Sequence, residues 1–402
     1  MIRARYLAIT AGILSASISM SANADWSIAG LGTLGGERSD ALSINNTGQM
    51  VGSYYSYNNP SSVSAFILNT ANGAGMTDLL GGYGMATGIN DSGQVTGQIS
   101  NHAFITGANA TGITNLGDLG GINPSMYPSG YSVGSAINNF GQVAGYSYID
   151  SNFVTHAFIT GPNGGMTDLG TLVDGYYSSK TQSYATDIND SGQVVGYSDV
   201  FLPMAMSALH AFITGPNGVG MIDLGTLGGL YSYAYGINNS GQVVGLSQTA
   251  TCDDYIAFIT DANGTNMTSL GTLGGARSWA TDINDSGQVV GVSDTANGLA
   301  HGFLYSDGVM IDLLQLAPVV AAGWSALAPE AINDLGQIVG TGVHNGTAQA
   351  FLLSPFDIPA FPVIEPIPSP ILEPQTYAML LAGLGLIGFS MKRSAISARL
   401  YA

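Results

Sequence analysis

Basic residues and cysteine are scarce in this sequence. Residues 25–375 contain three basic side chains, Arg38, Lys180 and Arg277, against 26 acidic ones. Nucleic acids and anionic lipid surfaces are bound by clusters of lysine and arginine, so this balance argues against both as partners. The single cysteine, Cys252, excludes an intramolecular disulfide, and packing must therefore stabilise the fold.

Glycine, in contrast, is abundant, and it recurs within a repeated motif. The chain has 57 glycines, about twice the ordinary share. A repeat of 45 to 51 residues is one supersecondary unit that buries its apolar face against the next copy. Residues present in every copy are expected to build the unit, and specific chemistry is expected where the copies differ. The motif Ile-Asn-Asn/Asp-x-Gly-Gln-x-x-Gly starts at Ile44, Ile89, Ile137, Ile188, Ile237, Ile283 and Ile332.

One unit has the pattern of four short strands. In the fourth copy, residues 183–189 and 193–197 alternate apolar and polar side chains around the turn Asp190-Ser191-Gly192. After a variable loop, residues 210–214 and 221–225 form a second such pair. Four antiparallel strands in a unit of this length are typical of a β-propeller blade.

The two ends of the repeat array complement each other. The seventh unit enters a proline-rich segment before its fourth strand, whereas residues 28–36 match the fourth strand and linker at residues 221–229. A ring closed by its own N-terminal strand would use both and would remove the exposed sheet edges. The sequence therefore predicts an all-β fold, a seven-bladed β-propeller of four-stranded repeats. An open β-solenoid is the alternative.

The N-terminal residues 1–24 are expected to be a secretory signal peptide. Arg3 and Arg5 precede an apolar run at residues 6–20, and Ala22-Asn23-Ala24 supplies a small-residue cleavage site. The alternative is a plain N-terminal membrane anchor. The mature repeat domain then covers residues 25–354.

The C-terminal residues carry a second targeting pattern. A proline-rich linker at residues 355–374 ends in Glu373-Pro374, and residues 375–402 hold a short apolar transmembrane helix followed by Lys392 and Arg393. This order resembles the PEP-CTERM sorting signal of Gram-negative bacteria, although Leu372 replaces the first proline of its signature. The resemblance implies an exosortase-type processing enzyme as partner, anchoring in the inner membrane, and release to the cell surface. A simple tail anchor is the alternative.

A tripeptide in the third strand carries another resemblance. His-Ala-Phe begins at His102, His156 and His210, and degenerate copies follow. The pattern resembles the HAF family of predicted extracellular repeats, which implies secretion and repetition but no established activity.

Neither the histidines nor the Asx turns predict a metal site. Histidines at one place in successive blades lie a blade width apart, whereas zinc ligands must converge at about 2 Å. We expect them to be structural. Asn46, Asn139 and Asn239 replace aspartate in three turns, and Asx side chains commonly cap their own turn. No cofactor is expected, and a calcium-stabilised array is the alternative.

The sequence does not predict catalysis. Glu330 is an isolated glutamate, and a propeller glycosidase needs two carboxylates facing each other. His344 has no evident serine or aspartate companion. A secreted propeller glycoside hydrolase or lyase remains an alternative function.

The best binding candidates lie in the variable segment that precedes each motif. Aromatic rings beside polar groups are a usual surface for polysaccharides or partner proteins. Tyr184, Tyr233 and Trp279 share one offset before the motif, so packing between blades is an alternative for them. We expect Trp324 and the tyrosines at 176 and 177 to be exposed contacts. The predicted ligand-binding residues are Trp324, Trp279, Tyr176, Tyr177 and Tyr233.

Together these patterns predict an exported, membrane-sorted repeat protein without catalytic activity. It would act as an adhesion or scaffold module in the cell envelope or extracellular polysaccharide matrix of a Gram-negative bacterium. Polysaccharides, envelope proteins and the processing enzyme are its expected partners.

Overall fold

The chain folds as a series of short antiparallel sheets. The computed structural model describes residues 26–56, 59–69, 75–122, 130–161, 164–173, 181–202, 206–251 and 254–355. All of these belong to the compact unit Met1–Ala360. The first strands of successive repeats contact one another in a closed circle, from Arg38–Ile44 through Trp324–Ile332 and back to Arg38–Ile44.

The described strands are β1 Trp26–Gly32, β2 Arg38–Ile44, β3 Met50–Ser56, β4 Asn59–Leu68, β5 Met76–Ile89, β6 Val95–Ile99, β7 His102–Thr106, β8 Ile113–Gly117, β9 Ser132–Ile137, β10 Val143–Tyr148, β11 Thr155–Thr160, β12 Met166–Asp168, β13 Ser183–Ile188, β14 Val194–Leu202, β15 Met206–Thr214, β16 Met221–Asp223, β17 Gly228–Ile237, β18 Val243–Thr249, β19 Tyr255–Ile259, β20 Thr268–Gly271, β21 Gly274–Ile283, β22 Val289–Thr295, β23 Ala300–Ser306, β24 Val309–Asp312, β25 Trp324–Ile332, β26 Ile338–His344 and β27 Thr347–Pro355. Helical turns are short: a helix, α1, at Ala317–Ala321, which the sequence patterns did not predict, and 3-10 turns at Ala108–Ala110, Pro216–Gly218, Ala262–Gly264 and Leu313–Gln315.

Each repeat forms one four-stranded sheet. Five sheets have four strands, and a sixth has seven because β5 pairs with β4 at its start and with β6 at its end. Divided at β5, the described strands make seven four-stranded units, which confirms the all-β propeller architecture. In chain order the sheets are β2-β3-β4-β5, β5-β6-β7-β8, β9 to β12, β13 to β16, β17 to β20, β21 to β24, and β25-β26-β27-β1.

The N-terminal strand supplies the missing strand of the last sheet. β1 pairs antiparallel with β27, with Trp26 opposite Pro355 and Ala29 opposite Leu352. Both strand edges that an open array would expose are therefore paired. This closure is the one that the sequence predicted, and an open solenoid does not fit it.

The asparagine of each motif links its sheet to the next. Its side-chain Nδ2 donates to the backbone oxygen of the following motif asparagine, at 2.9 to 3.1 Å. Since the last bond runs from Asn333 back to Asn45 at 3.0 Å, the chain of bonds closes on itself. The members of this asparagine ring are Asn45, Asn90, Asn138, Asn189, Asn238, Asn284 and Asn333.

The motif glycine closes the turn beside this ring. In all seven copies its φ lies between 70° and 80°, a left-handed conformation that glycine adopts at little steric cost. The motif glutamine accepts from the asparagine Nδ2 through its Oε1, as between Asn189 and Gln193 at 2.8 Å. The repeated motif therefore builds turns and joins blades.

Between neighbouring sheets, apolar side chains form the core. The phenylalanine of each Ala-Phe pair is fully buried, as is Phe303, which follows a glycine. In five of the described units the alanine N–H donates to a serine hydroxyl of the next sheet, as from Ala211 to Ser232 at 2.9 Å. The HAF pattern thus combines a packing side chain with a link between blades. The seven phenylalanines are Phe66, Phe104, Phe158, Phe212, Phe258, Phe303 and Phe351.

The targeting segments lie outside the described residues. These are the predicted signal peptide at 1–24, the predicted linker at 355–374 apart from Pro355, and the predicted C-terminal helix at 375–402. Within the described part of the chain, no helix has the length and apolarity to cross a membrane.

Candidate functional site

An axial channel runs along the circle of first strands. Three adjoining cavities make it up, and they share lining residues. The first, which we call the axial pocket, has about 660 Å³. The second, the neck, has about 230 Å³. The third has about 160 Å³ and is lined by the repeated Ile-Asn-Asn/Asp residues.

A β-bulge in each first strand directs one side chain at the axis. The pairing register between first and second strands skips one residue in every sheet, two positions before the motif isoleucine. A bulge leaves that residue without a ladder partner and re-aims its side chain. Six of these seven residues line both the axial pocket and the neck. The bulge residues are Leu42, Thr87, Ser135, Thr186, Tyr235, Thr281 and Glu330, of which Leu42 lines only the neck.

Aromatic rings, aliphatic side chains and one amide complete the axial pocket. They come from first strands four residues before the motif, from the residue before β9 and from second strands. A pocket of this size, with apolar walls and a few polar groups, has the character of a small-molecule site. These further lining residues are Met85, Gln98, Tyr131, Val133, Tyr146, Leu246 and Trp279.

The threonine hydroxyls of the pocket donate their protons to backbone oxygens of the pocket wall. Thr87 Oγ1 donates to the backbone oxygen of Gly134 at 2.7 Å, and Thr186 Oγ1 donates to that of Ala234 at 3.0 Å. Thr281 Oγ1 donates to a backbone oxygen of β25 at 3.1 Å. Because a carbonyl oxygen only accepts, these hydroxyls offer the pocket acceptor lone pairs.

Glu330 is the charged residue of the axial pocket. Its burial, together with the negative charge of Asp40, raises the pKa of the Glu330 carboxyl to about 7, and Arg38 opposes this weakly. Asp40 is buried and accepts from Arg38 Nε at 2.7 Å and from Thr341 Oγ1 at 2.6 Å. The glutamate thus titrates near neutral pH beside a carboxylate that is already paired.

Two aspartates lie deeper, in the neck. Asp187 accepts backbone N–H groups from Ile188 at 2.8 Å and from Ile237 in the next blade at 2.9 Å. Burial raises the pKa of Asp187 to about 7. Burial and the negative charge of Asp187 together raise the pKa of Asp282 to about 8. Both oxygens of Asp187 accept backbone N–H groups, and the bond from Ile237 joins two blades, so its role is structural.

The five predicted binding residues have different positions. Trp279 is half-buried and lines the axial pocket. Tyr233 is half-buried and packs edge-on against Tyr197, with ring centroids 5.1 Å apart. This favours the packing alternative for Tyr233. Tyr176 and Tyr177 lie outside the described residues.

The expected exposure of Trp324 is wrong. Its side chain is 7% exposed and belongs to an apolar cluster. The indole stacks on His344 with centroids 4.8 Å apart and meets Phe351 edge-on at 6.0 Å. The reason is α1 and the 3-10 turn before it, which the sequence patterns missed and which pack against β25 and cover its start.

Sequence reasoning also missed most of the pocket wall. The bulge threonines carry no composition signal, because threonine is ordinary in strands. Their position two residues before each motif isoleucine is the signal that could have identified them. Glu330 was noticed in the sequence, but its place on the channel depends on the bulge.

The repeated histidines pair with aspartates of the fourth strand or the residues after it. Burial would raise the pKa of Asp168, but hydrogen bonds from His156 and the backbone of Gly170 outweigh it and lower that pKa. In the unit with Ile256 in place of histidine, Ser269 takes the aspartate position, so both partners change together. This supports the predicted structural role. The pairs are His156–Asp168 at 2.9 Å, His210–Asp223 at 2.9 Å, His301–Asp312 at 2.8 Å and His102–Asp118 at 3.5 Å.

The Asn/Asp residues of the turns form a second ring around the far end of the channel. Each backbone N–H donates to the side-chain oxygen of the next member at 2.8 to 2.9 Å. These side chains therefore serve as acceptors for their neighbours. Among the described residues, no group of three histidine, cysteine or acidic side chains is arranged to hold a metal ion. The ring members are Asn46, Asp91, Asn139, Asp190, Asn239, Asp285 and Asp334.

The sorting residues lie in the C-terminal part that the structure does not describe. Glu373, Pro374, Lys392 and Arg393 all fall within residues 356–402. Their predicted role in processing stays a prediction.

Comparison with known proteins identifies a fold and no family. No protein family and no curated protein matches the sequence. The β-propeller domain of the Trilobed protease from Pyrococcus furiosus matches with TM-score 0.50 at 10% identity, covering 79% of this chain and 94% of that one. An oligogalacturonate lyase from Vibrio parahaemolyticus matches with TM-score 0.53 at 8% identity, covering 81% and 93%.

A puromycin hydrolase also matches, with TM-score 0.53 at 12% identity, covering 80% of this chain and 52% of that one. At such identities the likeness shows the β-propeller fold alone, because one fold hosts many functions.

Proposed function

We propose that this protein is an exported, glycan-binding β-propeller that serves as an adhesion or scaffold module in the cell envelope or its polysaccharide matrix. The axial pocket carries the proposal. It combines tyrosine and tryptophan rings with hydroxyl and amide groups in about 660 Å³, a volume suited to a short oligosaccharide. Sugar rings stack on aromatic faces while their hydroxyls pair with such polar groups.

Variation among the repeats supports this choice of site. The residues that close the ring are nearly the same in all seven units, whereas the seven bulge residues comprise five residue types. A position that only built the blade would be filled alike in each copy. The differing side chains therefore suit recognition of a ligand that has no sevenfold symmetry.

Binding without catalysis is the favoured form of this function. A glycosidase needs two carboxylates across the sugar, separated by roughly 5 to 9.5 Å. The lining of the axial pocket includes one carboxylate, Glu330, and no basic side chain. The neck aspartate Asp187 has both oxygens occupied by backbone N–H groups.

A glycan array probed with the purified chain tests the function. We expect binding to a subset of polysaccharides, and loss of that binding in Trp279→Ala. Phe140→Ala is the matched control, because Phe140 is an aromatic side chain, 76% exposed, in a turn at the opposite end of the channel. Absence of binding to every glycan would contradict the proposal, and equal loss in both variants would move the site away from the axial pocket.

Export and sorting are the second half of the proposal. The support is the order of a signal-peptide pattern at 1–24 and a PEP-CTERM-like segment that begins at Glu373-Pro374 and includes residues 375–402, for which an exosortase-type enzyme would be the processing partner. Intact-mass measurement of the chain released by a Gram-negative host tests this. A mature chain that starts near Asp25 and lacks the C-terminal segment is expected. A chain retaining all of residues 375–402 would contradict processing.

A further inference from the structure

Four polar side chains of the axial pocket present only acceptors to its interior, beside hydroxyl and indole groups that can also donate. Three of the four are the bulge threonines, whose protons are donated to the wall. Gln98 also directs its Nε2 into the wall, donating to the backbone oxygen of Ser132 at 3.1 Å. Its Oε1 is left as an acceptor. A ligand rich in hydrogen-bond donors complements such a surface.

The charge of the pocket also favours a ligand that donates hydrogen bonds. Glu330 is half-buried on the channel wall, and no hydrogen bond or ion pair joins its carboxyl group to another of the described residues. The two described arginines are engaged elsewhere, Arg38 with Asp40 at 2.7 Å and Arg277 with Asp294 at 3.0 Å. Neither lines the pocket. An anionic ligand such as a uronate would find no countercharge here, whereas a cation would find an unpaired carboxylate.

The rings of the pocket also favour a cation. The faces of tryptophan and tyrosine attract ammonium groups, more strongly where water is partly excluded. Trp279, Tyr131, Tyr146 and Tyr235 supply four rings around the wall that also carries Glu330. An ammonium group has three donors and no acceptor, so it matches the rings, the carboxylate and the threonine oxygens together.

From this combination we infer that the axial pocket binds a glycan bearing free amino groups, with an ammonium nitrogen against Glu330 and sugar rings against Trp279. The inference rests on the proposed glycan-binding function and names its ligand class. The size of the pocket supports an oligosaccharide over a single amine, because one ammonium group would fill only a small part of about 660 Å³. Binding of such a cationic glycan needs no basic side chain on the protein.

Calorimetric titration of the full chain with four tetrasaccharides tests the inference. The probes are the β-1,4-linked tetramers of glucosamine and of N-acetylglucosamine, cellotetraose and tetragalacturonate. Charge-assisted hydrogen bonds contribute about 1.5 to 3 kcal/mol, or roughly 10- to 100-fold in affinity. We expect the glucosamine tetramer to bind at least tenfold more tightly than the other three. Glu330→Gln should remove that advantage and leave the affinity for cellotetraose unchanged.

Two controls separate the pocket from general charge attraction. Asp307→Asn removes an exposed carboxylate in the turn between β23 and β24 and should leave all affinities unchanged. N-acetylated tetralysine carries the same number of ammonium groups without sugar rings and should bind more weakly than the glucosamine tetramer. Equal weakening by Glu330→Gln and Asp307→Asn, or tight binding of tetralysine, would overturn the inference. Equal binding of all neutral and cationic tetrasaccharides would also overturn it while leaving the glycan-binding function intact. Absence of all glycan binding would remove both.

Discussion

The two ends of the axial channel are built by the same seven first strands, yet they differ in how the repeats fill them. At one end every unit places an asparagine and then an Asn or Asp in closed hydrogen-bonded rings. At the other end the bulge residues that line the axial pocket differ, from Ser135 and Tyr235 to Glu330, and the rings come from only some of the units. Residues that recur in every repeat therefore close the fold, and residues that differ between repeats line the pocket.

Removal of one ring asparagine should show that the repeated end stabilises the fold. Asn189 is 4% exposed, donates to Gln193 and Asn238, and accepts the backbone N–H groups of Ser191 and Gln193. Asn189→Ala loses these bonds and leaves buried partners unpaired, so we expect a cost of about 4 kcal/mol in unfolding free energy. Urea unfolding followed by tryptophan fluorescence measures it.

The control for this variant is Ser191→Ala, in the same turn, where the side chain is exposed. Its cost should stay within about 0.5 kcal/mol. A similarly small cost for Asn189→Ala would mean that the ring does not hold the blades together.

The tryptophans Trp324 and Trp279 separate stability from binding. Trp324 is buried against His344 and Phe351, so Trp324→Ala should cost about 3 to 5 kcal/mol of stability. The refolded variant should keep its glycan affinity. Trp279→Ala should cost less stability, because the indole is half-buried, but should weaken glycan binding about tenfold or more. Comparing unfolding curves and titrations of both variants checks this, and the reverse pattern would contradict the assignment of the pocket.

Much of the fold follows from the sequence because its signals are repeated. The four strands of one unit, predicted at 183–189, 193–197, 210–214 and 221–225, correspond to β13 to β16. Closure by the strand after residue 25 could be predicted because one end lacked what the other end held. The seven copies act as independent observations of the same local pattern.

The candidate site could be predicted only in part. Trp279 was identified from its place in the variable segment, but the direction of Thr87, Thr186 and Glu330 depends on the bulge. A bulge shifts the alternation of faces by one residue, and strand periodicity alone does not show it. Trp324 was misjudged because α1, which helps cover it, is one turn long and has no helical periodicity.

The pH dependence of stability should distinguish the neck from both ends of the channel. The pKa of Asp282 is raised to about 8 in the folded state from 3.8 in the unfolded chain. Between these values the unfolded chain binds fewer protons, so this group makes stability fall as pH rises from about 4 to 8. Water in the channel screens part of the effect, and we expect a loss of about 1 to 2 kcal/mol between pH 5 and pH 8.

Asp282→Asn should reduce that loss, measured as unfolding free energy in urea at both pH values. The exposed Asp307→Asn should keep the wild-type difference. Other titrating groups are common to all three proteins, so the comparison isolates Asp282 together with its coupling to Asp187. A variant whose pH dependence equals that of the wild type would show that Asp282 stays ionised over the whole range.

The smallest expected effect concerns the ring of Asn and Asp turn residues, in which an odd number of members places two aspartates side by side. Asn and Asp alternate around the ring of turn residues, but seven members force one like pair, Asp285 beside Asp334. Where an asparagine precedes an aspartate, its Nδ2 adds a bond, as from Asn239 to Asp285 at 2.9 Å. Asp285→Asn would exchange that bond for one to Asp334 and would remove a like-charge contact. We expect a gain of about 0.5 kcal/mol at low salt that shrinks at high salt. Thermal unfolding at two salt concentrations measures it, and a salt-independent loss would mean that the order of Asn and Asp in the ring does not follow charge.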